Sequence, residues 1–293
     1  MFNFDFLKKK NRKLQDVIKS LERTEILLVP DEDGEVQRPD ATKIGGKPYL
    51  PADFRWPVFT SSEDQTTRPL SFFCQINLAE VKPYDRENLL PDRGLLSFFY
   101  ECESFCWGFD PQDRGAARVF WFDTTDADSC VPFEIPGEIA GHHVIPEIAL
   151  QLQERKSYPQ YEEFGIHSDL DCDWEDYDRL LEELGVLSDT DPEDHKLLCY
   201  ADIIQDEMLT ECERVSRDLS CGGPECYANT PKDVAADIAR HAADWTLLLQ
   251  LSTITKGDFE WMFGDCGMLY FYIRKEDLAA RRFDKAAFSL QCG

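Results

Sequence analysis

Two apolar stretches decide the fold, Leu-Leu-Leu-Gln-Leu at residues 247–251 and Gly-Met-Leu-Tyr-Phe-Tyr-Ile at residues 267–273. A similar pair occurs earlier, Phe-Phe-Cys-Gln-Ile at residues 72–76 and Gly-Leu-Leu-Ser-Phe-Phe-Tyr at residues 94–100. Short runs rich in aromatic and branched side chains, bounded by turn residues, are typical of buried strands. In each pair a strand with one glutamine leads, across a polar break, to a strand that follows a glycine. We interpret the two pairs as copies of one strand–connection–strand unit.

The composition predicts a folded and strongly acidic protein. Of 293 residues, 43% are hydrophobic and 12% are aromatic, which is enough for a packed core. The 57 acidic and 31 basic residues give a formal net charge of −26. A field of that sign repels phosphate backbones and anionic lipids, so we expect neither nucleic acid nor a membrane as partner. It attracts basic proteins and cations, although a negative surface also serves simply to keep a protein soluble.

The cysteines and the first residues predict a cytoplasmic protein. The basic cluster at residues 8–13 is not followed by the apolar segment of a secretory signal, and no apolar run is long enough for a membrane helix. We therefore expect the 11 cysteines to be reduced and mostly buried as small apolar side chains.

The order of elements along the chain predicts one mostly-β α+β domain over residues 1–293. Short strands at regular spacing suit an antiparallel sheet better than alternating strands and helices. The acidic segment is the part of the chain that is repeated least, and we interpret it as an insertion between the units. The expected segments are an N-terminal helix and strand (1–30), a first unit (40–135), an acidic insertion (147–195) and a second unit (196–292).

Several motifs in sequence order resemble the YwqG-like family of bacterial proteins. The strongest is Gly-Asp-Cys-Gly-Met-Leu-Tyr-Phe-Tyr-Ile-Arg-Lys-Glu-Asp-Leu at residues 264–278, and Lys-Ile-Gly-Gly at 43–46, Gln-Ile-Asn-Leu at 75–78 and Leu-Gln-Cys at 290–292 accompany it. The resemblance spans roughly residues 40–292. It implies a roll of antiparallel sheets, an α+β fold with peripheral helices. The family is uncharacterised, so the resemblance implies no activity; relatives near polymorphic toxin genes imply an immunity or antitoxin role for some members.

The second unit departs from the family pattern at one turn. The segment Tyr-Ala-Asp-Ile-Ile-Gln at residues 200–205 resembles a family motif, but Cys199 and Ala201 stand where glycine and proline are expected. In our alignment of the two units, residues 196–200 occupy the place that residues 43–46 have in the first unit. The turn after residue 196 is therefore expected to be built differently.

The candidate metal ligands are Cys221 and Cys226. Two thiols in a Gly-Gly-Pro-containing turn can begin a zinc site, and His142 and His143 are candidates to complete it, although the spacing differs from the usual tight pairs. The alternative is a turn with two incidental cysteines. We predict no cofactor otherwise.

The candidate ligand-binding residues are Gln75, Gln250 and Asp265. A glutamine within an apolar strand must find hydrogen-bond partners when it is buried. The two amides could bond each other, bond backbone groups, or line a cleft between the units. Asp265 follows Gly264 in a turn, where an aspartate often bonds nearby backbone.

The sequence contains no recognisable catalytic motif and is strongly acidic, so we predict a non-enzymatic interaction module that binds a basic partner. The family resemblance implies an immunity-like or antitoxin-like role for it. The alternative is a small-ligand-binding protein or an enzyme that uses a cleft between the two units. No nucleophile with a base in reach can be nominated from the five histidines.

Overall fold

A computed structural model describes residues 4–31, 33–126, 129–186 and 194–293, with side chains from residue 11 onward. Within these ranges the strands are β1 Arg23–Asp31, β2 Lys43–Ile44, β3 Tyr49–Pro51, β4 Val58–Thr60, β5 Thr67–Pro69, β6 Ser71–Asn77, β7 Leu95–Tyr100, β8 Ala117–Phe122, β9 Cys130–Pro132, β10 Ile148–Ser157, β11 Lys196–Leu197, β12 Trp245–Leu251, β13 Ile254–Lys256, β14 Phe259–Trp261, β15 Met268–Arg274 and β16 Ala287–Gln291. The α-helices are α1 Phe4–Ser20, α2 Leu78–Val81, α3 Tyr161–His167, α4 Trp174–Glu183, α5 Leu209–Ser216, α6 Pro224–Ala228, α7 Lys232–Ala242 and α8 Lys275–Ala279. None of the described helices has the length and apolarity needed to cross a membrane.

Ten of these strands form one antiparallel sheet in the order β16-β15-β12-β11-β1-β10-β2-β6-β7-β8. The long strands β1 and β10 pair at its centre over nine positions. On either side follow a two-residue strand, then the strand with the central glutamine, then two outer strands. The predicted fold class, mostly antiparallel β with peripheral helices, is confirmed.

The sheet rolls up so that its two halves pack face to face. Phe98 of β7 and Phe271 of β15 belong to the strands that stand second from the two ends of the strand order, yet their ring centroids are 5.1 Å apart. At the edge, the backbone N–H of Leu290 donates to the carbonyl of Trp107 at 2.9 Å. Aromatic and branched side chains from both halves therefore share one hydrophobic core, which is the driving force for the roll.

Matching positions of the two halves carry matching backbone geometry. After β2, Gly45 and Gly46 have φ of +58° and +68°; after β11, Leu198 and Cys199 have φ of +67° and +69°. The strand registers pair Lys43 with Gln75 and Lys196 with Gln250. These correspondences support the hypothesis of a duplicated unit, which stays a prediction. The turn at Cys199 keeps the left-handed conformation without glycine.

The described part of the acidic segment differs from the expected insertion. Residues 148–157 form β10 at the centre of the sheet. Its strand signal is the alternation of Ile148, Leu150 and Leu152 with Ala149, Gln151 and Gln153. The high acidic content of the whole segment hid this short alternation. The acidic helices α3 and α4 follow, and they pack against Leu14 and Ile18 of the N-terminal helix α1. Residues 187–193 of the predicted insertion lie outside the described residues.

Candidate functional site

The two glutamines are buried in the sheet, each within its own half. The side-chain oxygen of Gln75 accepts from the N–H of Tyr49 at 2.8 Å, and its amide donates to the carbonyls of Pro39 and Ala41. The oxygen of Gln250 accepts from the N–H of Asp202 at 2.8 Å, and its amide donates to the Asp194 carbonyl and the Asp202 carboxylate. Both side chains are fully buried, they do not bond each other, and neither lines the cleft described below. Their contacts favour a structural role.

We expect Gln250→Leu to lower the free energy of unfolding by at least about 2 kcal/mol. The leucine leaves the Asp202 N–H and the Asp194 carbonyl without their partner, and each buried unsatisfied group costs about 1–3 kcal/mol. Urea denaturation of the purified protein measures the loss. The matched control is Gln153→Leu, since Gln153 is an exposed glutamine of β10, and its effect should stay within about 0.5 kcal/mol. Equal stability of Gln250→Leu and wild type would contradict the structural role.

Asp265 is exposed in the turn before β15. Its backbone carbonyl accepts from the N–H of Gly293 at 2.9 Å. The residue does not line the cleft described below, so the structure does not bring it together with either glutamine.

The segment that contains Cys221 and Cys226 is organised by a buried arginine. The Arg214 guanidinium donates to the carbonyls of Ser220 at 3.0 Å and Cys226 at 2.9 Å, and it lies 4.2 Å from the ring centroid of Tyr227. Among the described residues, neither cysteine belongs to a cluster of three metal-ligating groups. The arginine accounts for the shape of this turn. Within the described ranges, no third metal-ligating group joins the two cysteines, so the structure adds no support to the predicted zinc site.

A cleft of about 690 Å³ lies between residues of the two halves. The first half contributes the loop at residues 87–92, and the second half contributes helix α8 and the first residues of β12. The remaining lining comes from the start of β1, from α3 and from the turn after β11. Buried apolar side chains form part of its wall: Leu90, Cys199, Tyr200, Trp245 and Leu278.

The charged groups of the cleft balance, which is unusual in a chain of net charge −26. The three cationic side chains are Arg23, Lys275 and Arg281, and the three carboxylates are Glu87, Asp92 and Glu163. Arg23 and Glu87 lie 3.6 Å apart with both side chains well exposed, so this contact is weak and can be exchanged for a ligand group. A cleft that combines apolar walls with both signs of charge suits a small polar or zwitterionic molecule.

The histidine of the cleft forms a close pair with a buried carboxylate. His167 Nε2 lies 2.8 Å from Glu163 Oε1, and its ring centroid is 5.4 Å from that of Tyr200. Carboxylates hold imidazole rings in a fixed orientation and tautomer. With Nε2–H donating to Glu163, the other ring nitrogen, Nδ1, can accept a hydrogen bond from a bound molecule.

The thiol in the cleft is poorly suited to nucleophilic attack. Burial raises the pKa of Cys199 far above that of a free thiol, and its Sγ donates to the carbonyl of Thr24 at 2.9 Å. Since the thiolate is the reactive form, Cys199 and His167 do not make a nucleophile–base pair. The geometry therefore gives no support to covalent catalysis by Cys199.

The two adjacent histidines lie elsewhere, beside Glu103 and far in sequence from the candidate cysteines. His143 Nδ1 is 3.2 Å from Glu103 Oε1, and the rings of His142 and His143 are 3.9 Å apart between centroids. Glu103 was not among the residues nominated from the sequence, because nothing in its surroundings connects it with residues 142 and 143.

Comparison with known families adds to the geometry. The family model of a domain of unknown function, DUF1963, matches residues 42–292. The chain belongs to this family. The YwqG-like family is the DUF1963 family, so the resemblance inferred from the motifs is confirmed. A search of curated proteins gives no match to this chain.

The DUF1963 match contains the cleft except for its contribution from the start of β1. Sequence reasoning placed the candidate site at a junction of two units but nominated the conspicuous glutamines instead of the residues that line it. Arg23, His167 and Lys275 are ordinary polar residues, each within its own segment of the chain, and only the tertiary structure brings them together.

Proposed function

We propose that this DUF1963 protein binds a small polar organic molecule in the cleft between its two halves. The observation that carries the proposal is the cleft itself, with its volume of about 690 Å³, its buried apolar wall and its balanced charges. Binding pockets for small molecules combine such walls with a few oriented polar groups. Lys275 supports this role, since its ammonium donates to the carbonyl of Ala243 and makes no ion pair with a described carboxylate. The His167–Glu163 pair offers a second polar anchor.

The test is a thermal-shift measurement with amino acids, nucleosides and small dicarboxylates as probes. A probe that binds the cleft raises the melting temperature of the wild-type protein by mass action. The blocking variant is Ala279→Trp, since Ala279 lines the cleft and is exposed, and the matched control is Ala280→Trp, since Ala280 is the exposed neighbour outside the cleft. We expect the shift to vanish in Ala279→Trp and to persist in Ala280→Trp. Absence of any shift in the wild type, or an equal shift in both variants, would contradict the proposal.

Binding of a basic protein partner is a second proposal, and an exposed aromatic residue favours it. Trp174 at the start of α4 is 59% exposed and is surrounded in sequence by Asp173, Glu175 and Asp176. An exposed tryptophan amid carboxylates suits a basic surface with an apolar centre.

This second proposal predicts a strong dependence on salt. The affinity for a basic partner recovered by affinity capture should fall markedly between about 50 and 200 mM salt, because screening weakens attraction between exposed charges. Trp174→Ala should weaken binding, whereas Tyr227→Ala, at an exposed aromatic residue outside the acidic helices, should not. An affinity that is independent of salt would count against the proposal.

A further inference from the structure

Three side chains from two distant segments form a cluster of metal-ligating type. Glu103 lies in the turn after β7, and His142 and His143 lie in the 3-10 helix Gly141–His143. One ligating atom from each of the three lies within 4.8 Å of the others. This is the only group of at least three such residues in the part of the chain that the structure describes.

The turn that carries Glu103 is fixed by a buried carboxylate. Glu101 is 1% exposed, and its two oxygens accept from the N–H groups of Glu103 at 2.9 Å and Ser104 at 2.8 Å. Glu101 therefore holds the backbone of Glu103 in place. Supporting contacts of this kind orient the ligands of metal sites.

His143 is also held in place. It is buried, its backbone N–H donates to the Ala140 carbonyl at 2.8 Å, and its ring makes an edge contact with Trp261 at 5.2 Å between centroids. A buried ring in a fixed orientation is suited to ligate a metal ion.

A cavity of about 220 Å³ adjoins the cluster. Glu103 and His143 line it together with Ser71, Glu101 and Ile139. An ion held by the cluster would thus have space beside it for a water molecule or another small ligand.

We propose that Glu103, His142 and His143 bind a divalent transition-metal ion, with Zn²⁺ as the best-fitting ion. Two imidazoles and one carboxylate are a known ligand set for zinc sites that keep a fourth position open. Bond lengths of about 2.0–2.2 Å in a tetrahedral site place the ligating atoms about 3.3–3.6 Å apart. Since Glu103 and His142 are exposed, their side chains can rotate to close the longer separations around the buried His143.

The site is independent of the cleft, because the residues that line the cleft do not include any of the three ligands. Failure of one proposal therefore leaves the other unaffected. The site is also separate from the thiol pair Cys221 and Cys226. Its ligands are imidazoles and a carboxylate rather than thiolates, and this difference can be measured.

The experiment is a titration of the full chain, purified without metal, with Zn²⁺ in the presence of a competing chelator. We expect one high-affinity ion per chain, and His142→Ala and Glu103→Gln should each weaken binding at least about 100-fold, since loss even of supporting residues costs about 10–100-fold. Both substituted residues are exposed, so the fold should persist and circular dichroism will check it. His241→Ala, at a partly exposed histidine of α7, and the Cys221→Ser/Cys226→Ser double variant are the controls that should bind as the wild type does.

Substitution with Co²⁺ identifies the ligands by a second readout. Two imidazoles and a carboxylate give visible ligand-field bands without the near-ultraviolet charge-transfer band of a thiolate, and His142→Ala should change these bands. The proposal is overturned if the folded wild type binds no ion, if a thiolate band accompanies binding, or if Glu103→Gln and His142→Ala bind Zn²⁺ as tightly as the wild type does.

Discussion

Lys196→Met should lower the free energy of unfolding by about 3–5 kcal/mol, the range for breaking a buried ion pair from one side. The ammonium of Lys196 lies 2.7 Å from an Asp202 oxygen and 3.1 Å from a Glu25 oxygen. All three residues are at most 5% exposed. Without the lysine, two almost fully buried carboxylates remain together, and of the two only Glu25 keeps a cationic partner among the described residues, Arg155. Urea denaturation at pH 7 measures the loss.

The matched control is Lys43→Met, because Lys43 has the same position beside Gln75 that Lys196 has beside Gln250. Its partner Glu147 lies 2.6 Å away, but the Glu147 side chain is 44% exposed. Water can therefore solvate that carboxylate when the lysine is removed, and we expect a loss of about 1 kcal/mol or less. An equal decrease in the free energy of unfolding in Lys196→Met and Lys43→Met would contradict the larger effect expected from burial of the network around Lys196.

The direction of the Lys196 pKa shift explains why denaturation should be measured at pH 7. Burial lowers the pKa of Lys196, but the attraction of Asp202 and Glu25 outweighs burial and raises the pKa overall. A raised folded-state pKa gives stability that is fully present below the unfolded value of about 10.4 and is lost as the pH rises through the folded value. The contribution of Lys196 is therefore complete at neutral pH.

Gly45→Ala should destabilise the protein by about 3 kcal/mol or more. Gly45 has φ of +58°, and a Cβ atom there would lie 2.2 Å from the carbonyl oxygen of Pro146 and 2.5 Å from that of Ile145. The left-handed conformation alone costs an alanine about 1–2 kcal/mol, and the rest arises because backbone atoms must move. The backbone N–H of Gly45 also donates to the Phe73 carbonyl at 2.8 Å, so the shift would disturb β6.

Gly257→Ala separates the cost of the left-handed conformation from the cost of the steric clash at Gly45. Gly257 has nearly the same φ, +57°, but no atom lies within 4 Å of the position of its Cβ. Its substitution should therefore cost only the conformational term of about 1–2 kcal/mol. Thermal or urea denaturation of the two variants measures the difference, and similar losses would contradict the close approach at Gly45.

Local pattern made much of the fold predictable. The strands around Gln75 and Gln250 are apolar runs of the right length. Helix α4 begins at residue 174 and is followed by Gly185 in the left-handed conformation that is typical of the end of a helix. By contrast, α7 begins without a side-chain cap: Pro231 occupies the cap position, and the hydroxyl of the preceding Thr230 donates to the Cys226 carbonyl. A threonine hydroxyl has several partners within reach, and sequence alone does not choose among them.

The candidate sites were less predictable, because their residues are contributed by segments far apart in sequence. Arg23, His167 and Lys275 line one cleft, yet each is an ordinary polar residue within its own segment. Glu103 meets His143 across 40 positions of the chain. Gln75 and Gln250 were predicted to bind a ligand because they interrupt apolar strands. A polar residue in an apolar strand indicates a buried, hydrogen-bonded side chain rather than a ligand contact.

The sequence by itself determined the family, the antiparallel β class and the strands at the centre of each half, because motif order and apolar periodicity are local properties. The tertiary structure decided which charges are buried, where the cleft lies and which residues could hold a metal ion. The physical reason is that the sheet rolls up. Packing the apolar faces of its two halves together brings loops that are far apart in sequence to the same edge. Polar side chains come together at such edges, and no local sequence pattern predicts which of them will be neighbours.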